Sequence, residues 1–88
     1  MIEFIFTRVA EKQFLALEKD EQERILQKLK TLKLHPDIFS VLKPLVAFED
    51  FVVPVSRLRI RSMRLILCQE KIDKFLVLKV KHRKDVYR

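Results

Sequence analysis

Apolar side chains recur at every second position at the start of the chain. In Ile2-Glu3-Phe4-Ile5-Phe6 this puts Ile2, Phe4 and Phe6 on one face, which predicts a strand. Thr7 follows where a helix N-cap belongs. From Arg8 to Leu17, Ala10, Phe14 and Leu17 recur at spacings of four and three and form one helical apolar stripe. Lys19-Asp20 breaks this pattern. Asp20 with Glu23 three residues later resembles a capping box, and Ile25, Leu29 and Leu32 then give the stripe of a second helix, which Pro36 ends. So short a connection predicts an antiparallel helical hairpin whose stripes need a sheet, or each other, as cover.

Asp37 to Asp50, with Pro44 inside, reads as a loop. Three strands are then expected at Pro54–Ile60, Met63–Gln69 and Phe75–His82. They are joined by a very short turn at Arg61-Ser62 and a polar one through Glu70-Lys71-Ile72-Asp73. Simple alternation puts Leu58 and Ile60, then Met63, Leu65 and Leu67, then Leu76, Leu78 and Val80 on the face that receives the helices. The opposite face carries Arg57 and Arg59, then Arg64, Ile66 and Cys68, then Phe75, Val77, Lys79 and Lys81.

The expected fold is therefore α+β in the order βααβββ, with the helical hairpin packed on one face of a mainly antiparallel four-stranded sheet. The 88 residues leave room for a single domain, 1–88, and nearly half of them are apolar. Glycine is absent, so every turn must be made by Pro, Asp, Ser, Lys or a residue that tolerates an unusual backbone angle.

Charge changes the picture most. The formal net charge is +7, and Met1 to Ser56 contributes none of the excess. From Arg57 onward eleven basic side chains face only Glu70, Asp73 and Asp85. Period-two geometry gathers Arg57, Arg59, Arg64, Lys79 and Lys81 on one sheet surface, which predicts a polyanionic partner, although a solvated basic face is the plain alternative. No apolar stretch approaches the roughly 18–20 residues that span a bilayer. The acidic Met1-Ile2-Glu3 start is unlike a secretory signal, so a cytoplasmic protein without a membrane partner is expected. The single cysteine, Cys68, forms no internal disulfide, and no Cys/His cluster predicts a metal site or a cofactor.

The order of elements, the segment Arg57-Leu58-Arg59-Ile60-Arg61-Ser62-Met63-Arg64-Leu65-Ile66 and the ending Val80-Lys81-His82-Arg83-Lys84-Asp85-Val86-Tyr87 together resemble the RelE/ParE toxin superfamily, over essentially the whole chain. Two departures stand out. Arg61-Ser62-Met63 replaces a frequent Gly-x-Tyr, and Lys81 replaces the glycine that often precedes His-Arg. The resemblance implies the toxin of a type II toxin–antitoxin pair, with a cognate antitoxin that masks the basic surface and operator DNA bound only through the antitoxin complex. RelE-like members cleave mRNA on the ribosome without metal, whereas ParE-like members inhibit gyrase, and fold alone does not separate them.

Cleavage of this kind needs a base for the 2′-OH, cations around the phosphorane and an acid for the 5′-oxygen, and leaves a 2′,3′-cyclic phosphate. Arginine clamps phosphate well but shuttles protons poorly. Arg64, His82, Arg83 and Tyr87 are the catalytic candidates, and Arg57, Arg59, Arg61, Lys79 and Lys81 the RNA- and phosphate-binding ones. His82 is the candidate acid or base by its ordinary pKa, against a ring merely packed at a strand end. Parity turns it toward the helix side. Tyr87 could orient the 2′-OH, act as base or stack on a nucleobase, against a terminal aromatic docked for stability. Lys81 is a further candidate for protonating the leaving group.

The other reactive side chains read as structural: His35 at a helix end, Cys68 within a strand, and Glu49 and Asp50 in a loop. An mRNA endoribonuclease is the leading expectation. The alternatives are a gyrase-inhibiting toxin, a catalytically silent member that binds only antitoxin or RNA, and an unrelated basic nucleic-acid-binding domain.

Overall fold

A computed structural model describes residues 2–34, 42–45 and 55–82. The elements run β1 (Glu3–Phe6), α1 (Arg8–Leu15), α2 (Lys19–Leu32), β2 (Lys43–Leu45), β3 (Val55–Ile60), β4 (Met63–Lys71) and β5 (Lys74–His82). The expected α+β layout is present, but the sheet has five strands in the order β1-β5-β4-β3-β2. The extra edge strand, β2, lies within the stretch expected to be loop: Lys43, Pro44 and Leu45 pair antiparallel with Arg57, Ser56 and Val55. Its three residues are too few to show a period, and proline is tolerated at an edge. The sheet is mixed, because β1 pairs parallel with β5 while the remaining pairs are antiparallel.

The predicted helical stripes form the core. Ala10, Ile25, Leu29 and Leu32 are buried, with Phe14 and Leu17 packed against them. They cover Leu58, Ile60, Met63, Leu65 and Leu67 of β3 and β4. Phe6 meets Phe14 edge-on with ring centroids 5.4 Å apart. Thr7 caps α1 as expected, its Oγ1 accepting the Ala10 N–H at 3.2 Å. The second cap is two residues earlier than Asp20: Glu18 is the N-cap, and the Glu21 carboxylate accepts the Glu18 N–H at 3.2 Å. Asp20 instead lies in the first turn, where its charge favours the positive helix end.

Simple alternation fails in the first half of β5. Ile66 pairs with Lys79 and Leu67 with Val77, so Leu78 is an extra residue, a β-bulge. The bulge shifts parity by one. Phe75 and Val77, expected on the outer face, belong to the main core, whereas Leu76 and Leu78 pack on the outer face with Val55, Ile66 and Cys68. Lys79 and Lys81 lie beyond the bulge and keep the expected facing. A second irregularity lies between Gln69 and Lys71, and Lys71 pairs with Lys74 to tighten the turn at Ile72-Asp73.

Helix α1 secures the bulge. Beyond β1, the Thr7 hydroxyl donates to Leu78 O at 3.2 Å and Gln13 Oε1 accepts the Val80 N–H at 2.7 Å. Side chains of α1 and its cap thus satisfy the edge of β5 that β1 leaves uncovered.

Candidate nucleic-acid interface

Strand register assembles the basic surface. Arg59 lies opposite Arg64, and Arg64 lies opposite Lys81, so three cations form one row across β3, β4 and β5. The next row is Arg57, Ile66 and Lys79. Beyond it the same face turns apolar, with Cys68 opposite Leu76 and Leu76 opposite Ile5. Opposed residues on neighbouring strands have Cα atoms roughly 4.5–5.5 Å apart. A row of cations at this spacing is complementary to a polyanion.

Arg64, at the centre of the row, is 7% exposed. Its backbone is held between two ladders in the middle of the sheet, and it is the most buried of the five cations. Arg59 is exposed, and Arg57, Lys79 and Lys81 are half-buried. A buried guanidinium flanked by more accessible cations adds its fixed charge at the centre of the row while its neighbours can meet phosphates directly.

Arg61 stands apart from this row, in the turn between β3 and β4. Ile60 pairs with Met63 across that two-residue turn, and Arg61 has φ 53°, the left-handed region. The turn keeps the backbone shape that glycine adopts freely, now imposed on an arginine.

His82 lies on the other side of the sheet. Strand β5 continues through it, and its Nε2 is 3.1 Å from Glu21 Oε2 of α2 and 3.5 Å from Ser62 Oγ. Both of these contacts are to one ring nitrogen, on the helix side of the sheet. With Gln13, Glu18 and Lys81, the pair borders a cavity of about 600 Å³ between the helices and the end of β5. The catalytic candidates Arg83 and Tyr87, together with His35, Glu49 and Asp50, lie outside the described residues.

Sequence reasoning missed Glu21 and Gln13 as organising residues. For Glu21 a signal existed, since Glu18-Lys19-Asp20-Glu21 has capping-box spacing, but glutamate is an uncommon N-cap. Gln13 carried none, because only the bulge creates the amide that it satisfies. Cys68 is buried, and burial first, then the Glu70 charge, raise its thiol pKa above the ordinary 9.0. Among the described residues, no group of three or more His, Cys, Asp and Glu could hold a metal ion, and no helix is long and apolar enough to cross a membrane.

Three crystal structures share this fold. The chain is similar to a chain of the intact RelBE toxin–antitoxin complex of E. coli, with a TM-score of 0.69 and 19% identity over 93% of this chain and 96% of that one. The fold is RelE-like. The RelBE2 toxin–antitoxin complex of Mycobacterium tuberculosis gives a TM-score of 0.70 at 20% identity, covering 93% of this chain and 98% of that one. The RelE–RelB complex of Pyrococcus horikoshii gives 0.68 at 20%, covering 93% and 94%. No family profile matches the sequence, and no curated protein matches it. The RelE-like fold is thus carried here by a sequence only 19–20% identical to these three.

Proposed function

We propose that this chain is the toxin of a type II toxin–antitoxin pair and that it cleaves mRNA on the ribosome. The observation that carries the reading is the row Arg59–Arg64–Lys81, with Arg57 and Lys79 beside it, on the sheet face turned away from the helices. Its five cations match the charge that develops on a phosphorane and its flanking phosphates. The three structural neighbours are all toxin–antitoxin complexes, which supports an antitoxin as a natural partner of this chain.

In this mechanism Arg64 binds the scissile phosphate and stabilises the pentacoordinate transition state. Arg57, Arg59, Lys79 and Lys81 position the strand through neighbouring phosphates. The ending Arg83-Lys84-Asp85-Val86-Tyr87 follows directly from β5 and supplies the remaining candidates, Arg83 for phosphate and Tyr87 for the 2′-OH. His82 faces Glu21, which supports a role in anchoring the end of β5 rather than in proton transfer.

Adding the protein to cell-free translation, followed by primer extension on the message, tests the proposal. Cuts that appear only when ribosomes are present support it. Intact message with arrested supercoiling in a parallel gyrase assay replaces it with the ParE-like reading.

A further inference from the structure

A second basic site lies on the helix side of the β3–β4 turn. A pocket of about 400 Å³ opens between α2 and the tip of the hairpin, lined by Arg24, Gln27, Lys28 and Thr31 from the helix and by Arg59, Ile60 and Arg61 from the hairpin. The helical residues recur at spacings of three and four, so they form one stripe beside the buried Ile25, Leu29 and Leu32. Four cations and no carboxylate line the pocket. The acid closest along the stripe, Asp20, meets Arg24 at 3.8 Å, with both side chains largely exposed. An ion pair of that kind is worth little and yields readily to a better anion.

Arg61 gives the pocket its second distinguishing feature. It is the one non-glycine residue with positive φ among the described residues, at 53°. A left-handed backbone is unfavourable for a side chain with a Cβ, by roughly 1–2 kcal/mol. An arginine kept there, in a turn whose other residue is a small serine, is the mark of a side chain retained for what it meets rather than for the turn it makes. It places a guanidinium at the hairpin tip, facing Arg24 and Lys28 across the pocket.

We infer that this pocket is a second phosphate subsite for RNA, separate from the Arg59–Arg64–Lys81 row and reached by strand passing over the hairpin tip. Arg59 borders both regions and links them. Arg24, Lys28 and Arg61 hold a backbone phosphate, and they contribute to affinity and register rather than to bond cleavage. The inference rests on RNA being the ligand, as proposed above, but it concerns binding and can be tested apart from cleavage.

The test is fluorescence anisotropy of a labelled single-stranded RNA with the full chain made by cell-free synthesis, across a range of salt concentrations. The pocket variant is Arg24→Gln with Lys28→Gln. The control, Lys12→Gln with Lys19→Gln, removes the same charge from exposed positions elsewhere. The pocket variant should bind roughly tenfold more weakly and flatten the salt slope by about 0.7, the value for the one phosphate that is no longer neutralised. Arg61→Gly should flatten the slope about half as much while the fold becomes more stable. Equal effects from pocket and control variants overturn the inference, as does an absence of RNA binding by the unaltered chain. RNA affinity that is unchanged while binding of an acidic protein partner weakens also overturns it and assigns the pocket to that partner. If pocket-dependent RNA binding is found but mRNA stays uncut, the subsite stands and the cleavage proposal falls.

Discussion

His82 Nε2 lies 3.1 Å from Glu21 Oε2, so the histidine of the terminal motif is tied to the first turn of α2 and not to the arginine row. Glu21 also accepts the Glu18 N–H, so one carboxylate both caps the helix and fastens the last residue of β5. The Glu21 and His82 side chains are 15% and 25% exposed, which allows a charge-assisted hydrogen bond to count. Glu21→Ala should therefore lower stability by about 1–2 kcal/mol, read from urea denaturation. His82→Gln should reduce RNA cleavage far less than Arg64→Ala does. Equal losses from the two would return His82 to a catalytic role.

Gln13 is expected to be worth more than a half-buried polar side chain usually is. Its Oε1 accepts the Val80 N–H at 2.7 Å, just past the Leu78 bulge. Gln13→Ala leaves that amide without its acceptor and should destabilise the fold by about 1–2 kcal/mol. Hydrogen exchange should show the Val80 amide losing protection, and Gln13→Glu, which keeps an acceptor, should restore most of it.

Much of the architecture was legible because the two periods are clean. The spacing of Ala10, Phe14 and Leu17, and of Ile25, Leu29 and Leu32, gives the helices and their buried faces directly. The alternation of Leu58, Ile60, Met63, Leu65 and Leu67 does the same for β3 and β4. The β5 core escapes this reasoning because period two assumes an unbroken ladder, and Leu78 breaks it. Lys79 and Lys81 keep their expected facing because they lie between the bulge and the end of the strand. The His82–Glu21 pair joins residues far apart in sequence, so parity gives its side of the sheet but not its partner.

Arg61→Gly should raise thermal stability. Relief of the left-handed strain amounts to roughly 1–2 kcal/mol, and the added freedom of glycine in the unfolded chain offsets part of it. A net gain of about 0.5–1 kcal/mol should appear as a higher Tm. A lower Tm would mean that the Arg61 side chain itself contributes to folding.

The Cys68 thiol should alkylate slowly at neutral and mildly alkaline pH, because burial and the Glu70 charge raise its pKa above 9.0. The sign for stability follows. A thiol with a raised folded-state pKa holds its proton longer in the folded chain than in the unfolded one. Stability from this group is intact below 9.0 and declines as pH rises from there through the raised value. Urea titrations at increasing pH should show this decline in the unaltered chain and a shallower one in Cys68→Ser.

Cleavage of ribosome-bound mRNA by the row of Arg59, Arg64 and Lys81, with Arg64 as its essential member, is the central proposal. Primer extension on a message translated in a cell-free system, with the unaltered chain beside Arg64→Ala, tests it most directly. Discrete ribosome-dependent cuts are predicted, with a loss of about a hundredfold or more in their rate when Arg64 is replaced. Cuts of undiminished rate from a folded Arg64→Ala protein, or no cuts from the unaltered chain, would contradict it.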